Sequence, residues 1–266
     1  MPPVSPPTPD RVDLVDCQPE GPQLPVYRCG RISSTNQVAW DLLAAGVGPP
    51  FAVAAWCQSA GRGQWGRTWM SEPGGLYVST VLAVPPTVDR SQQTQSSPSR
   101  LPLTLAVAWG IASALRALAI PVQLKWPNDL FITNRKLGGV LCQQRQRGPQ
   151  PYPTTVVGVG INWANAVPPG AIALEPWLQQ HRPNDEGTNP GITSLDGLLQ
   201  LVQRGIYRGH NQFWDGDANY LLDSYEKLLT SLKQPVTIGE HTGIVRGVAP
   251  DGRLRIGFPD TEAEIL

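Results

Sequence analysis

The segment Gln58-Ser59-Ala60-Gly61-Arg62-Gly63-Gln64-Trp65-Gly66-Arg67-Thr68-Trp69 decides the class of fold. Its glycines at 61, 63 and 66 satisfy the literal G-x-G-x-x-G of a dinucleotide-binding turn, and the apolar run Phe51 to Trp56 before it reads as a buried strand. That turn requires a helix directly after the glycines. Here the next patterned stretch, Gly75 to Val84, reads as a second strand that ends at Pro85-Pro86. The match fails on context, and the chain has no Gly-Lys dipeptide from which to build a P-loop. What remains is a glycine-rich loop between strands, with Arg62 and Arg67 interleaved with Trp65 and Trp69. Glycines let backbone N–H groups approach an anion, and guanidinium forks grip phosphate or carboxylate; a solvated turn with incidental arginines has the same composition.

Upstream of the loop, Ser33-Ser34-Thr35-Asn36 precedes Val38, Ala39, Leu42 and Leu43, with Gly46 beyond, which predicts a capped helix of about three turns. Downstream, residues 87–100 are rich in Gln, Ser and Pro and read as an exposed loop, and 101–120 read as a buried core helix. Strand-like pieces follow at 122–126, 137–143 and 155–163, the last two separated by a polar hairpin loop over 145–153. Residues 164–191 carry five prolines and read as a surface insertion, and helical patterns resume over 193–209 and 212–232. Short strands around Pro250-Asp251-Gly252 close the chain as a small β domain. Strands joined by hairpin-like loops predict an α+β, mixed-sheet core. The expected divisions are a flexible Pro-rich tail over 1–27, a main domain over 28–232 and a small β domain over 233–266.

Composition narrows the function. The 21 basic and 21 acidic residues cancel, and no basic block stands out, so neither nucleic acid nor another polyanion is an expected partner. Four cysteines without a CxxC and three scattered histidines argue against a disulfide scaffold or zinc site and for a reducing compartment. The Pro- and Asp-bearing N-terminus has no apolar core of a signal peptide, so a cytoplasmic protein with no membrane association is expected.

Two further stretches carry chemical groups. Lys125-Trp126-Pro127-Asn128-Asp129-Leu130 is followed by Lys136-Leu137-Gly138-Gly139-Val140-Leu141, which places two of only four lysines within twelve residues. Each lysine also suits an ordinary strand end, and Pro-Asn-Asp is good turn chemistry. Gly158-Val159-Gly160-Ile161-Asn162 ends a predicted strand, where glycines mark a bulge or a close backbone approach.

Taken together and in this order, Ser34-Thr35-Asn36, the 58–69 loop, GGLYVS (74–79), KWPNDL (125–130), KLGGVL (136–141) and GVGIN (158–162) resemble the biotin–protein ligases over about residues 30–165. The resemblance implies a catalytic domain of the biotin/lipoate ligase type with a small C-terminal SH3-like β domain. It implies formation of biotinyl-5′-AMP from biotin and MgATP, then transfer to one lysine of an apo biotin carboxyl carrier protein, such as that of acetyl-CoA carboxylase. By the same resemblance Ser34, Thr35, Gln58, Gly61, Arg62, Lys136, Gly138, Gly158 and Gly160 bind biotin. Arg67, Trp69 and Asn162 serve ATP, with Mg²⁺ entering with the nucleotide near Asn162. Lys136, Arg62, Arg67 and Asp129 are the implied catalytic set, Asp129 engaging the carrier lysine.

The resemblance has departures. Gln64-Trp65 stands where some members carry Arg-Arg, which implies weaker adenylate retention unless Arg67 supplies the contact. No helix-turn-helix segment precedes the catalytic residues, so a repressor function is not expected, and the C-terminal domain reads as short for the family. Lipoate–protein ligase or octanoyltransferase is the nearest alternative. A non-catalytic biotin-binding module is the other, and the joint presence of Arg62, Arg67, Lys136 and Asp129 argues against it.

Overall fold

The computed structural model describes residues 10–12, 24–83, 102–147, 153–181, 191–258 and 262–265. The loop read over 87–100, and most of the tail expected over 1–27, lie outside the described residues. The described parts of 1–84 and 138–199 form one compact unit, and those of 85–137 and 200–266 a second. These units divide the chain differently from contiguous 28–232 and 233–266 domains.

In the first unit, strands β1 (Asp10–Val12), β2 (Val26–Ile32), β3 (Phe51–Gln58) and β4 (Leu76–Leu82) are followed in space by β8 (Thr154–Ile161) and by β7 (Arg135–Arg145) from Gly138 onward. The β2–β3 pair is parallel and the other pairs are antiparallel, so the sheet is mixed. Val26 is fully buried, and β2 starts inside the stretch read as tail. Helix α1 (Thr35–Ala44) covers one face of the sheet, setting Ala39, Trp40 and Leu43 against Phe51, Val53, Val81 and Val156. The i, i+4 spacing of those helix residues meets the alternation of the strands, and this seam is the core of the unit. The stretch read as an irregular insertion contains a helix, α3 (Leu174–Gln180), which buries Leu174, Trp177 and Leu178. Pro176 sits in its first turn, where proline costs no intrahelical hydrogen bond.

In the second unit, α2 (Leu103–Arg116) buries ten of its 14 residues. Helix α4 (Leu195–Asp215) begins in the first unit and continues into the second, and Asp217 caps α5 (Ala218–Glu226) by accepting from the Asn219 amide. The helix break falls at Gly216-Asp217, later than the predicted break near 210. Strands β5 (Gln123–Lys125) and β6 (Asp129–Ile132) pair antiparallel. Strands β9 (Pro235–Ile238), β10 (His241–Val248), β11 (Leu254–Gly257) and β12 (Glu262–Ile265) form a smaller antiparallel sheet. The molecule therefore has the expected α+β architecture of a mixed sheet with a smaller C-terminal antiparallel sheet. Among the described residues no helix is long and apolar enough to cross a membrane.

Candidate functional site

In the first unit a connected set of polar groups lies where α1 meets the sheet. The first amide of a helix lacks an intrahelical acceptor. At α1 the donor is Thr35 N, and it is taken by Gln58 Oε1 at 2.8 Å. The Thr35 hydroxyl donates to the same oxygen at 3.2 Å, and Gln58 Nε2 donates to Ser71 Oγ at 2.7 Å. Ser71 Oγ in turn donates to the Trp69 carbonyl at 3.1 Å. Ser34 sits at the N-cap with extended backbone, but its buried hydroxyl makes no capping bond; the Gln58 side chain replaces it.

Ser79 extends the set across the sheet. Its hydroxyl lies 2.7 Å from Thr35 Oγ1 and 2.5 Å from Asn36 Oδ1. Thr35, Asn36, Ser71 and Ser79 are all buried. A serine hydroxyl carries one proton. With the Ser79 proton on Asn36 Oδ1, the Ser79 oxygen can accept from Thr35, and the hydroxyls close a short chain. Asn36 Nδ2 is meanwhile buried with no hydrogen-bond acceptor among the described residues.

The register sets these groups over glycine. Ser79 pairs with Gly158 and Tyr77 with Gly160, on the face covered by α1. A Cβ at Gly158 would strike the Asn36 amide, and one at Gly160 would strike the Trp69 indole. The close approach read from these two glycines is thus made, in this structure, by the protein's own Asn36 and Trp69. At Gly138 the space is also tight. Its Cβ would lie 2.5 Å from Gly160 O and 3.0 Å from Ile161 Cγ1, so the tight neighbour is the adjacent strand.

The glycine-rich loop folds on itself as a narrow hairpin. Trp69 N donates to Gly61 O at 2.9 Å and Gly63 N to Arg67 O at 2.7 Å, with Arg62 bridged to Thr68. At the tip Trp65 adopts φ 54°, ψ 36°, a left-handed conformation rare for a bulky residue, and is 68% exposed. The Arg67 guanidinium lies 5.1 Å from its ring centroid, while Arg62 and Arg67 are both exposed. Asn162 is buried, and its Oδ1 accepts from Asn165 Nδ2 at 3.1 Å. Among the described residues no group of three His, Cys, Asp or Glu side chains is placed to hold a metal ion.

In the second unit the two charged residues picked out in the KWPND and KLGG stretches meet directly. Lys136 Nζ lies 2.7 Å from Asp129 Oδ2, with both side chains partly buried. Lys125 stands opposite Asp129 in the β5–β6 register, and its ammonium lies 5.5 Å from the Phe131 ring. The sequence reading assigned no role to Asn36, Ser71 or Ser79. Asn36 and Ser79 fall inside the quoted STN and GGLYVS stretches, but only the strand register shows that they share a face.

Residues 29–162, half of the chain, match the Biotin/lipoate A/B protein ligase family. The bifunctional ligase/repressor BirA of Escherichia coli (strain K12) is 30% identical over 229 residues, covering 84% of this chain and 66% of that protein. The biotin–[acetyl-CoA-carboxylase] ligase of Paracoccus denitrificans is 34% identical over 146 residues, 55% of this chain and 57% of that one. The chain thus spans just under two thirds of the length of the BirA relative and a little over half of the Paracoccus one. Among solved structures, the biotin protein ligase from Aquifex aeolicus in complex with biotin and ATP shares the fold. Its TM-score is 0.68 at 24% identity, covering 91% of this chain and 95% of that one. On the match of residues 29–162, this chain belongs to the Biotin/lipoate A/B protein ligase family.

Proposed function

We propose that this chain is a biotin–protein ligase. It activates biotin with MgATP to biotinyl-5′-AMP, releasing pyrophosphate, and then transfers the biotinyl group to one lysine of an apo biotin carboxyl carrier domain, such as that of acetyl-CoA carboxylase. The observation that carries this reading is the buried polar set of Thr35, Asn36 and Ser79, in which the Asn36 amide donor has no acceptor among the described residues. The carbonyl of a cyclic urea is the acceptor that such a set lacks, and its N–H groups can donate to the hydroxyl oxygens beside it. The fatty chain of lipoate or octanoate offers no such acceptor.

In the first half-reaction a biotin carboxylate oxygen attacks the α-phosphorus of ATP. The bond from that phosphorus to the α–β bridging oxygen breaks, and its electron pair leaves with pyrophosphate. Two anions must meet, so fixed positive charge lowers the barrier, and Arg62, Arg67 and Lys136 supply it. In the second half-reaction the neutral carrier amine attacks the acyl carbon, the bond to the AMP oxygen breaks, and AMP departs. The amine must shed a proton, and Asp129 is the carboxylate that receives or anchors it. Its pairing with Lys136 at 2.7 Å holds both groups ready before a substrate competes for either. Trp69, over Gly160, is the flat surface assigned to the adenine.

Magnesium enters as the counterion of ATP. Asn162 Oδ1 already accepts from Asn165, and magnesium prefers carboxylate or phosphate oxygens, so these amides are a poor fit for a resident ion.

Biotin-dependent ATP–pyrophosphate exchange tests the reading, with lipoate and octanoate as parallel arms. Exchange that biotin stimulates and the fatty acids do not is expected. Stimulation by lipoate or octanoate alone would replace biotin ligation with the alternative chemistry of the same family.

A further inference from the structure

The turn that leads into Asp129 is fastened to the C-terminal part of the chain by groups not used above. Lys125 and Asp129 are register partners, so Trp126, Pro127 and Asn128 form the β5–β6 turn. Trp126 Nε1 donates to the Gly252 carbonyl at 2.9 Å. On the next residue, Pro127 O accepts from the buried Tyr225 hydroxyl at 3.0 Å. The strand ahead of the turn is held as well, because Leu124 N donates to Leu228 O and Thr230 N to Leu124 O, each at 2.8 Å.

The far end of the Trp126 bond is itself rigid. Gly252 closes the β10–β11 turn with φ +89°, its amide donating to Ala249 O at 2.8 Å while Ala249 N donates to Arg253 O at 2.7 Å. Glu226 Oε1, at the end of α5, accepts from Val248 N at 2.6 Å, next to the register shift in β10. The Trp126 indole therefore ends on a carbonyl held in a hydrogen-bonded turn, and Trp126 itself lies three residues before the carboxylate that pairs with Lys136.

We propose that Trp126 is a positioning residue for the ligase reaction. Its indole N–H uses the C-terminal sheet as an abutment that sets the Lys136–Asp129 pair. The inference rests on the proposed function. An indole nitrogen is a single directional donor; phenylalanine removes it together with part of the ring, and the K136A background separates the lost tether from the lost packing. A displacement of about 1 Å at a charge-stabilising group is enough to cost catalysis heavily.

The test is a double-mutant cycle in biotin-dependent ATP–pyrophosphate exchange, with wild type, W126F, K136A and the double variant, each checked for folding by circular dichroism. W126F is expected to lower kcat about three- to tenfold, the scale of one hydrogen bond, and to leave KM for biotin within about twofold. In the K136A background it is expected to cost nothing further, because the group it positions is gone. Equal losses in both backgrounds, or a wild-type kcat in W126F, would overturn the positioning role. Should W126F fail to fold, the same cycle with Y225F, which releases the other side of the turn, is read by the same criteria. Wild-type protein without biotin-dependent exchange would instead overturn the proposed function itself, whereas an active wild type with an additive cycle overturns only this inference.

Discussion

Lys136 Nζ and Asp129 Oδ2 form a 2.7 Å ion pair within one compact unit, joining two residues whose sequence motifs are separated by the turn at Thr133-Asn134. Both turn residues have positive φ, 49° and 60°, which is the geometry of a tight hairpin connection. The short connection brings the lysine of one motif back beside the aspartate of the other.

From this pairing the two half-reactions should separate by mutation. Lys136→Ala removes a preorganised charge from the adenylation step and is expected to slow biotin-dependent exchange by about 10²–10³-fold. Asp129→Asn leaves Lys136 in place and is expected to slow transfer to the carrier more than exchange. Single-turnover assays of each half-reaction make the comparison. Equal losses for Asp129→Asn in both would contradict the assignment of Asp129 to the carrier lysine.

Gly158 tests the polar network. A methyl group there would drive into the Asn36 amide, displacing one member of the incomplete set. Gly158→Ala is expected to weaken biotin binding about tenfold or more, the scale of a one-to-three kcal/mol overpacking penalty, in a chain that still folds. Isothermal titration with biotin reads this directly. A Kd within twofold of wild type would detach the network from biotin recognition.

His210 predicts a pH dependence of stability unrelated to catalysis. It is 5% exposed on α4, and Trp214 Nε1 donates to its Nε2 at 2.9 Å, which requires that nitrogen unprotonated. Burial pushes its pKa down from 6.5 to about 4, against smaller opposing effects of Asn211 and Asp215. A folded pKa below the unfolded one gives stability that is present above about pH 6.5 and is lost as pH falls toward 4. Between pH 7 and pH 5 the loss from this group is about 2 kcal/mol. His210→Gln, which keeps an acceptor for the indole, is expected to show a correspondingly smaller drop in urea-unfolding free energy over that interval. Identical pH dependence in the two proteins would show that His210 does not titrate on unfolding.

Local patterns carried much of the fold. The i, i+4 spacing of Ala39 and Leu43, the unbroken run Phe51 to Ala55 and the strand-after-glycine order at 61–76 each follow from nearest-neighbour physics, and the elements they predict are present. Long-range pairing was less legible. Strand β2 carries Arg28 and Arg31 without a clean alternation, and its parallel partnership with β3 cannot be read from Val26–Ile32 alone. Helix α3 hides in a proline-rich stretch because one of those prolines occupies a first helical turn, where it does no harm.

At the site, residue types were readable and their partners were not. Gln58 stood out in sequence, but its role in capping α1 through Thr35 N depends on a contact across 23 residues. Ser79 joins Asn36 and Gly158 only through the β4–β8 register and the packing of α1. The tight neighbour of Gly138 is its adjacent strand, a contact that only the direction of its missing Cβ reveals.

The most direct test of the central claim is intact-mass analysis of an apo biotin carboxyl carrier domain after incubation with this protein, biotin and MgATP. The account predicts one biotinyl increment on a single lysine, lost when biotin or ATP is omitted and strongly reduced with Lys136→Ala. An unmodified carrier alongside a folded, biotin-binding protein would contradict it.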